Sequence, residues 1–237
     1  MKERISRGLD SLGLSGKVPG ESADLLAEYG RLLLDKNQVM NLTAITDPEQ
    51  VADLHMLDCA ALLTRIDFDR RTLIDVGTGA GFPGMVLKIL CPTLEITLLD
   101  SLQKRLDWLE EVIAALGLTG IRTIHGRGEE LSHDPAFRQS FDFASARAVA
   151  ELRTLSELCL PYVRPGGKFL AMKSVASDDE LTAASTAIRK LGGGEVTAFD
   201  YTIPNSQVAH RLLVIPKTGG TPKEFPRRWA KMQKSPL

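Results

Sequence analysis

Residues 73–90 read LIDVGTGAGFPGMVLKIL, and four glycines, Gly77, Gly79, Gly81 and Gly84, fall within eight consecutive positions. The apolar run TLIDV before them is a short strand, PGMVLKIL after them has helical spacing, and the next apolar run, LEITLLD, is a second strand. Strand, tight elbow, helix and strand make one βαβ unit.

Moving towards the C-terminus, the alternation continues. SLQKRLDWLEEVIAALGL is a long amphipathic helix, IRTIHG and FDFASAR are strands, and ELRTLSELCLPYV is a helix. GKFLAMK is a fifth strand, DDELTAASTAIRKL a further helix, and EVTAFDYTI and HRLLVIPK are two closing strands. Only PNSQVA separates those last two, too short for a helical crossover, so they pair antiparallel. Towards the N-terminus, apolar residues recur at helical intervals from Glu21 to Met40, and PEQVADLHMLDCAALL follows Asp47 and Pro48, a capping aspartate and an N1 proline. Neither helix belongs to a βαβ unit.

The expected fold is therefore α/β and Rossmann-like, a mostly parallel seven-stranded sheet with an antiparallel last strand, as in class I S-adenosylmethionine-dependent methyltransferases. Residues 1–70 form an N-terminal helical extension, 71–217 the core, and 218–237 a basic tail. From Lys217 onward the chain carries Lys217, Lys223, Arg227, Arg228, Lys231 and Lys234 against a single acid, Glu224.

Bulk properties narrow the function. The 237 residues carry a net charge of -1, which argues against a protein that coats nucleic acid with its whole surface but leaves room for a local basic patch. Three scattered cysteines with no CxxC fit a reducing cytoplasm and no disulfide framework. The N-terminus has no apolar stretch of signal-peptide length, and no run of about 18 apolar residues occurs, so neither export nor membrane insertion is expected. No HExxH and no His/Cys/Asp cluster at ligand spacing is present, and no metal is expected.

The elbow admits three ligands. GAGFPG, from Gly79, satisfies GxGxxG, and Asp100 lies 21 residues on, as in dinucleotide sites. Pro83, however, removes one of the backbone N–H groups that a pyrophosphate needs, and Asp75 at the strand end brings a carboxylate to the same place. S-adenosylmethionine, with an ammonium and a sulfonium and no phosphate, turns Asp75 into an asset. No GK[ST] follows, against a nucleoside triphosphate. A plain turn that needs glycine for its backbone alone is the remaining reading, and the two flanking acids weigh against it.

Asp100, at the tip of the second strand, suits ribose hydroxyls in either kind of site and equally suits a cap for the next helix, shared with Ser101. Gly128 and Glu129, in HGRGEEL, reach the sheet's carboxyl edge, where they could read an adenine amino group; a solvated helix start is the rival. Ser145 and Arg147, in SARAVAEL, face the crevice where an acceptor would meet the methyl group. The acceptor is less determined. An Asn/Asp-Pro-Pro-aromatic loop, the mark of adenine amino methylation, is absent; cytosine C5 chemistry needs a cysteine nucleophile, and Cys159 reads as a buried helix residue. Acceptors with a free lone pair, such as guanine N7, or hydroxyls with a base remain. Phe225 and Trp229 among the tail cations resemble RNA-binding segments, though a solvated tail has the same composition.

NLTAI (Asn41–Ile45), HMLDCAALL (His55–Leu63), LIDVGTGAGFPGMVL, TLLDSLQKR, SARAVAEL and HRLLVIPK together resemble, in the same order, the small-subunit ribosomal RNA methyltransferase G family, also called glucose-inhibited division protein B. The resemblance runs from about Glu21 to the end. It implies methylation of guanine N7 in the decoding-region loop of bacterial 16S ribosomal RNA with S-adenosylmethionine. It also implies cofactor contacts at Gly77 and Phe82, at Gly128 and Glu129, and at Arg147. Lys36 and Cys59 depart from the family's usual tryptophan and serine, and both departures fall on packing of the extension. His55 and Asp58, three apart on a helix, could touch RNA or fasten that extension to the core, and fastening is the expectation.

The combined expectation is a cytoplasmic, monomeric enzyme acting on 16S RNA or the small subunit. Asp75, Gly77, Gly79, Phe82, Asp100, Gly128, Glu129 and Arg147 hold the cofactor, and Arg147 and Lys173 line the acceptor side. Lys217, Lys223, Arg227, Arg228, Lys231 and Lys234 grip phosphates. A nicotinamide-dependent oxidoreductase, on the strength of GAGFPG and Asp100, and an RNA-binding assembly factor without turnover are the alternatives.

Overall fold

The structure, a computed structural model, describes residues 1–147 and 150–237; Ala148 and Val149 of SARAVAEL lie outside them. Seven strands form one sheet: β1 (Thr72–Val76), β2 (Glu95–Asp100), β3 (Ile121–His125), β4 (Phe141–Arg147), β5 (Val163–Ser174), β6 (Thr197–Thr202) and β7 (Ala209–Pro216). Their order is β3-β2-β1-β4-β5-β7-β6, with β7 antiparallel to both neighbours and the pairs β3-β2, β2-β1, β1-β4 and β4-β5 parallel. The sheet thus matches the expected topology. Strand order reverses between β1 and β4, and ligands of open α/β sheets sit beyond the strand ends at such a point.

The helices are α1 (Lys2–Ser11), α2 (Ser22–Asn37), α3 (Pro48–Val51), α4 (Asp58–Ala60), α5 (Gly84–Leu90), α6 (Gln103–Ala115), α7 (Gly128–Leu131), α8 (Leu152–Cys159), α9 (Asp178–Lys190) and α10 (Trp229–Lys234). Side chains alternate across β1, so Leu73 joins one core and Ile74 the other. The first core packs α2, α5 and α6, with Leu26, Leu33, Val86 and Leu109, against Leu73, Ile96 and Leu98 of the sheet. The second packs α8 and α9, with Leu155 and Ile188, against Ile74, Phe169 and Ile215. No helix among the described residues is long and apolar enough to cross a membrane.

The extension differs from its expected form in two ways. Helix α1 lies in a charge-rich stretch, KERISRGLDS, that shows only Ile5 and Leu9 as apolar anchors, and both are buried. Gly8 lets it press directly on Leu57, where a Cβ would overlap the leucine side chain. The second helix is not uniform: α3 starts as expected, with Asp47 Oδ1 accepting from Glu49 N and Gln50 N at 3.0 and 2.9 Å. It then widens into a π turn over Ala52–Leu57 before α4 and tightens to a 3₁₀ turn at Ala61–Thr64. Wide turns of this kind cluster at functional sites, and this one carries Leu54 and His55 to a cavity wall.

Candidate active site

A cavity of about 840 Å³ opens at the carboxyl ends of the strands, over the β1/β4 reversal. One half is walled by the elbow, the end of β2, and residues 126–129. The other half is walled by Thr43, His55, Asp58, Arg147, Lys173 and His210. Its volume is in the range of small-molecule sites.

The elbow is set by internal bonds. Gly77 N and Thr78 N donate to Leu99 O at 2.8 and 3.0 Å, Gly81 N and Phe82 N donate to Thr78 O, and Gly79 N donates to Asp100 Oδ2 at 2.9 Å. Two glycines are required by space: at Gly81 (φ 91°) a Cβ would lie 2.5 Å from Met85 Cγ and 2.6 Å from Tyr29 Oη, and at Gly84 it would overlap Leu98. The Tyr29 hydroxyl donates to Ala80 O, so α2 of the extension supports the elbow from behind.

Asp75, expected from the sequence to hold the cofactor, lies instead fully buried beneath the elbow. Its carboxylate accepts from Thr78 Oγ1 (2.7 Å), Ser145 Oγ (2.8 Å) and Gly84 N (3.1 Å). Burial pushes its carboxyl above the ordinary range, and those bonds act against the rise. The same bond takes Ser145 out of the crevice, into which only Arg147 of that strand pair reaches. Asp100 lines the cavity but leaves α6 without a side-chain cap, since Asp100 Oδ1 accepts from Leu102 N at 2.9 Å and Oδ2 holds Gly79. Arg105 approaches it to 3.6 Å.

With these bonds made, the backbone N–H groups of Gly77, Thr78, Gly79, Gly81, Phe82 and Gly84 are all engaged within the protein, and Pro83 has none. A pyrophosphate would find only Ala80 N without a partner among the described residues. The donors a dinucleotide needs are already bonded elsewhere. A phosphate-free nucleoside fits better. Glu129 is nearly buried, lines the cavity and makes no side-chain hydrogen bond among the described residues, an acceptor waiting for a donor. At Gly128 a Cβ would crowd Leu158 Cδ1 (3.0 Å) and Val76 Cγ1 (3.3 Å), and its carbonyl accepts from Tyr162 Oη at 2.6 Å, so apolar side chains back the floor there.

On the acceptor side, the Arg147 guanidinium lies over the Phe82 ring, 4.8 Å from its centroid, and the His55 ring stacks on the same phenyl at 4.5 Å. Arg147 Nη1 donates to Leu54 O (3.1 Å) and Asp58 Oδ2 (3.3 Å), and Nη2 donates to His55 Nδ1 (3.1 Å). His55 Nδ1 lies 3.1 Å from both Arg147 Nη2 and Leu54 O; the guanidinium can only donate and Leu54 O already accepts from Arg147 Nη1, so Nδ1 is assigned as the acceptor and the proton to Nε2, which donates to Thr43 Oγ1 at 2.8 Å. Burial, and then the Arg147 charge, lower the His55 imidazole to about 4, which keeps the ring neutral.

Asp58 is the hub of this half. It is fully buried, and its Oδ1 accepts from Tyr201 Oη (2.8 Å) and His210 Nδ1 (2.9 Å). His55 and Asp58 tie the extension to the sheet through Arg147, and both also reach the cavity wall. Lys173 lines the cavity with its ammonium 2.7 Å from Glu180 and 3.1 Å from Ala150 O. His210 and Tyr201 were not singled out from the sequence; the only signal was that HRLLVIPK begins with a histidine at a sheet edge.

The basic tail divides in two. Lys217 is 1 % exposed and donates to Leu160 O (2.9 Å), Leu191 O (2.8 Å) and Thr221 Oγ1, so it holds the chain together and does not grip a phosphate. Burial, and next the Arg138 charge, lower its ammonium to about 7. Arg227 is likewise engaged, through N, Nε and Nη2, with the buried Glu157 carboxylate at 2.6–2.8 Å. Arg138 donates to the carbonyls of Thr221, Pro222 and Phe225, pinning the tail from another side. Phe225 is buried in the second core and offers no face for stacking, whereas Trp229 reaches the cavity. Lys223, Arg228, Lys231 and Lys234 are exposed.

A family model described as rRNA small subunit methyltransferase G matches residues 22–206. Curated relatives named ribosomal RNA small subunit methyltransferase G are similar over nearly their whole length. That of Symbiobacterium thermophilum is 44% identical over 98% of this chain and 96% of its own, and that of Clostridium beijerinckii 39% over 98% and 97%. Among solved structures, a methyltransferase from Pyrococcus furiosus superposes with a TM-score of 0.56 at 14% identity, covering 80% of this chain and 95% of that one, which shows a shared fold. A match across most of the chain, near full-length relatives and a sheet of the same type all agree with the elbow's geometry: the chain belongs to the rRNA small subunit methyltransferase G family.

Proposed function

We propose that the protein transfers a methyl group from S-adenosylmethionine to N7 of a guanine in the decoding-region loop of 16S ribosomal RNA, within the cytoplasmic small subunit or its precursor. The observation that carries the cofactor half is the elbow, whose N–H groups are bonded within the protein and leave no phosphate cradle. The family carries the acceptor half. Guanine N7 needs no proton removed before attack.

When bound, S-adenosylmethionine supplies an electrophilic methyl group on sulfur. The protein's work is alignment and exclusion of water. Gly77, Gly79 and Asp100 border the part of the cavity suited to the ribose and amino-acid portions, and Gly128 and Glu129 the part suited to adenine, with the Glu129 carboxylate accepting from the adenine amino group. Phe82 and Arg147, locked face to face, separate the two halves and form the wall against which the acceptor base comes to rest. Lys173 borders the acceptor entrance, and Lys223, Arg228, Lys231 and Lys234 are the tail cations free to meet phosphates. In this reading residues 1–70 roof the site, 71–217 bind the cofactor and 218–237 extend the RNA-facing surface.

The test is transfer of labelled methyl from S-adenosylmethionine to small subunits that lack the modification, with the product base located by mass mapping. Label on guanine N7 is the expected result. Binding of NAD and not of S-adenosylmethionine in calorimetry, or turnover at background on every ribosomal substrate, would overturn it.

A further inference from the structure

We propose that His210 identifies the acceptor base: its Nε2–H, aimed into the cavity by Asp58, donates to the exocyclic oxygen next to the reacting nitrogen, O6 of guanine. The inference rests on the guanine-N7 reading above and adds to it the residue that distinguishes guanine from adenine.

His210, the second residue of β7, lies opposite Ser174 of β5 and Tyr201 of β6, which places it at the carboxyl edge of the sheet, above the acceptor half of the cavity. The ring cannot turn freely. Its Nδ1 donates to Asp58 Oδ1 at 2.9 Å, and that carboxylate is itself fixed by Tyr201 and Arg147. With Nδ1 so held, the other nitrogen points away from the hub, and among the described residues nothing bonds to it. A carboxylate that orients one imidazole nitrogen and leaves the other to a ligand is a recurrent device for setting what a histidine presents.

Since Nδ1 already carries a proton, Nε2 is a donor only in the imidazolium. Asp58 favours that form. The other groups around the ring are Arg147 from β4, which opposes it, the hydroxyl of Tyr201 from β6, which shares Asp58, and the Lys173–Glu180 pair across the cavity, with neutral His55 beyond. The hydrogen bond to Asp58 prevails and the imidazole lies above its ordinary value.

Guanine presents two acceptors on its major-groove edge, N7 and O6, whereas adenine presents N7 beside an amino donor. If N7 is to attack, its lone pair must stay free of the protein, so the edge can be read only at position 6. A charged donor there accepts guanine and is blocked by the adenine amino group. It forms one charge-assisted bond with the right base and leaves a buried donor unpaired with the wrong one.

The test uses the full-length enzyme and reconstituted small subunits carrying guanine, inosine or 2-aminopurine at the target position. Inosine keeps N7 and O6; 2-aminopurine keeps N7 and has hydrogen in place of O6. For the unaltered enzyme, kcat/KM falls roughly 10- to 100-fold from guanine to 2-aminopurine, the range for one hydrogen bond to a charged group, and inosine stays near guanine. In His210→Ala the guanine-to-2-aminopurine ratio collapses towards the intrinsic difference between the bases, while S-adenosylmethionine binding by calorimetry is unchanged. His210→Gln, which retains a donor but does not titrate, keeps the guanine preference. It loses the decline in kcat/KM that the unaltered enzyme shows as pH rises and the imidazolium deprotonates. Should the alanine variant misfold, the glutamine variant decides by its pH profile. An undiminished ratio in His210→Ala, or an unchanged pH profile in His210→Gln, overturns the proposal. If the unaltered enzyme moves no label to guanine at all, the function reading fails with it; if it does and the ratio ignores residue 210, only this assignment fails.

Discussion

His55 should make the protein sensitive to mild acid in a way that a single substitution removes. Its ring is sandwiched against Phe82, accepts from Arg147 at Nδ1 and donates to Thr43 at Nε2, so protonation would put a second positive charge against the guanidinium and destroy the accepting nitrogen. The imidazole is lowered from 6.5 to about 4. In the unfolded chain it takes up its proton near 6.5, in the folded chain only near 4. The stability at stake is therefore fully present above pH 6.5 and is lost as pH falls towards 4, by about 3 kcal/mol. His55→Gln keeps an acceptor for Arg147 and a donor for Thr43 and does not titrate. Urea unfolding of both proteins at intervals from pH 7.5 to 4 should give curves whose difference shrinks by about that amount across the window. The carboxylates and His210, common to both, cancel in the difference. Parallel curves, or an imidazole resonance assigned to His55 that titrates near 6.5, would refute the tautomer and the packing from which the magnitude follows.

Four further outcomes are expected. Gly81→Ala forces a Cβ onto Met85 and the Tyr29 hydroxyl at a positive φ, so the melting temperature should fall by an amount equivalent to about 1–3 kcal/mol, with weaker S-adenosylmethionine binding in calorimetry. Glu157→Gln weakens the carboxylate that holds Arg227, and amide exchange should quicken in residues 225–232 while β1 and β4 keep their protection. Neutralising Lys223, Arg228, Lys231 or Lys234 should each reduce the salt dependence of small-subunit binding by roughly 0.7–0.9 in log–log slope; Lys217→Met should leave that slope alone and lower the melting temperature, because its ammonium faces Leu160 and Leu191 carbonyls.

The sheet was legible because its inner strands are buried on both faces and its crossovers have helical spacing, a pattern that local sequence carries. Helix α1 was not, because two apolar anchors in ten residues give no period above the charges around them. In the site, Gly77, Phe82, Gly128 and Arg147 came from a motif, and the structure brings all four to one cavity. Asp75 was recognised as important but assigned the wrong direction: whether a strand-end carboxylate looks out or in depends on Thr78, Ser145 and Gly84, and Ser145 lies 70 residues away. Charge misled most in the tail. A lysine and an arginine read as phosphate ligands, Lys217 and Arg227, instead satisfy buried carbonyls and a buried glutamate, because nothing local distinguishes a solvated cation from one that meets its partner 70 residues earlier. His210 stayed hidden for the same reason, since Asp58 is 152 positions from it.

Asp58 is bonded to Arg147, Tyr201 and His210, which come from the middle and the last part of the chain, while Asp58 itself comes from the first quarter. The two halves of the cavity therefore draw on different reaches of the chain. The elbow and the end of β2 come from neighbouring segments, with residues 126–129 completing that half, whereas the acceptor half exists only once both ends of the chain have docked on the sheet. A hybrid that exchanged the first 70 residues between relatives would have to carry the matching β6–β7 edge with them.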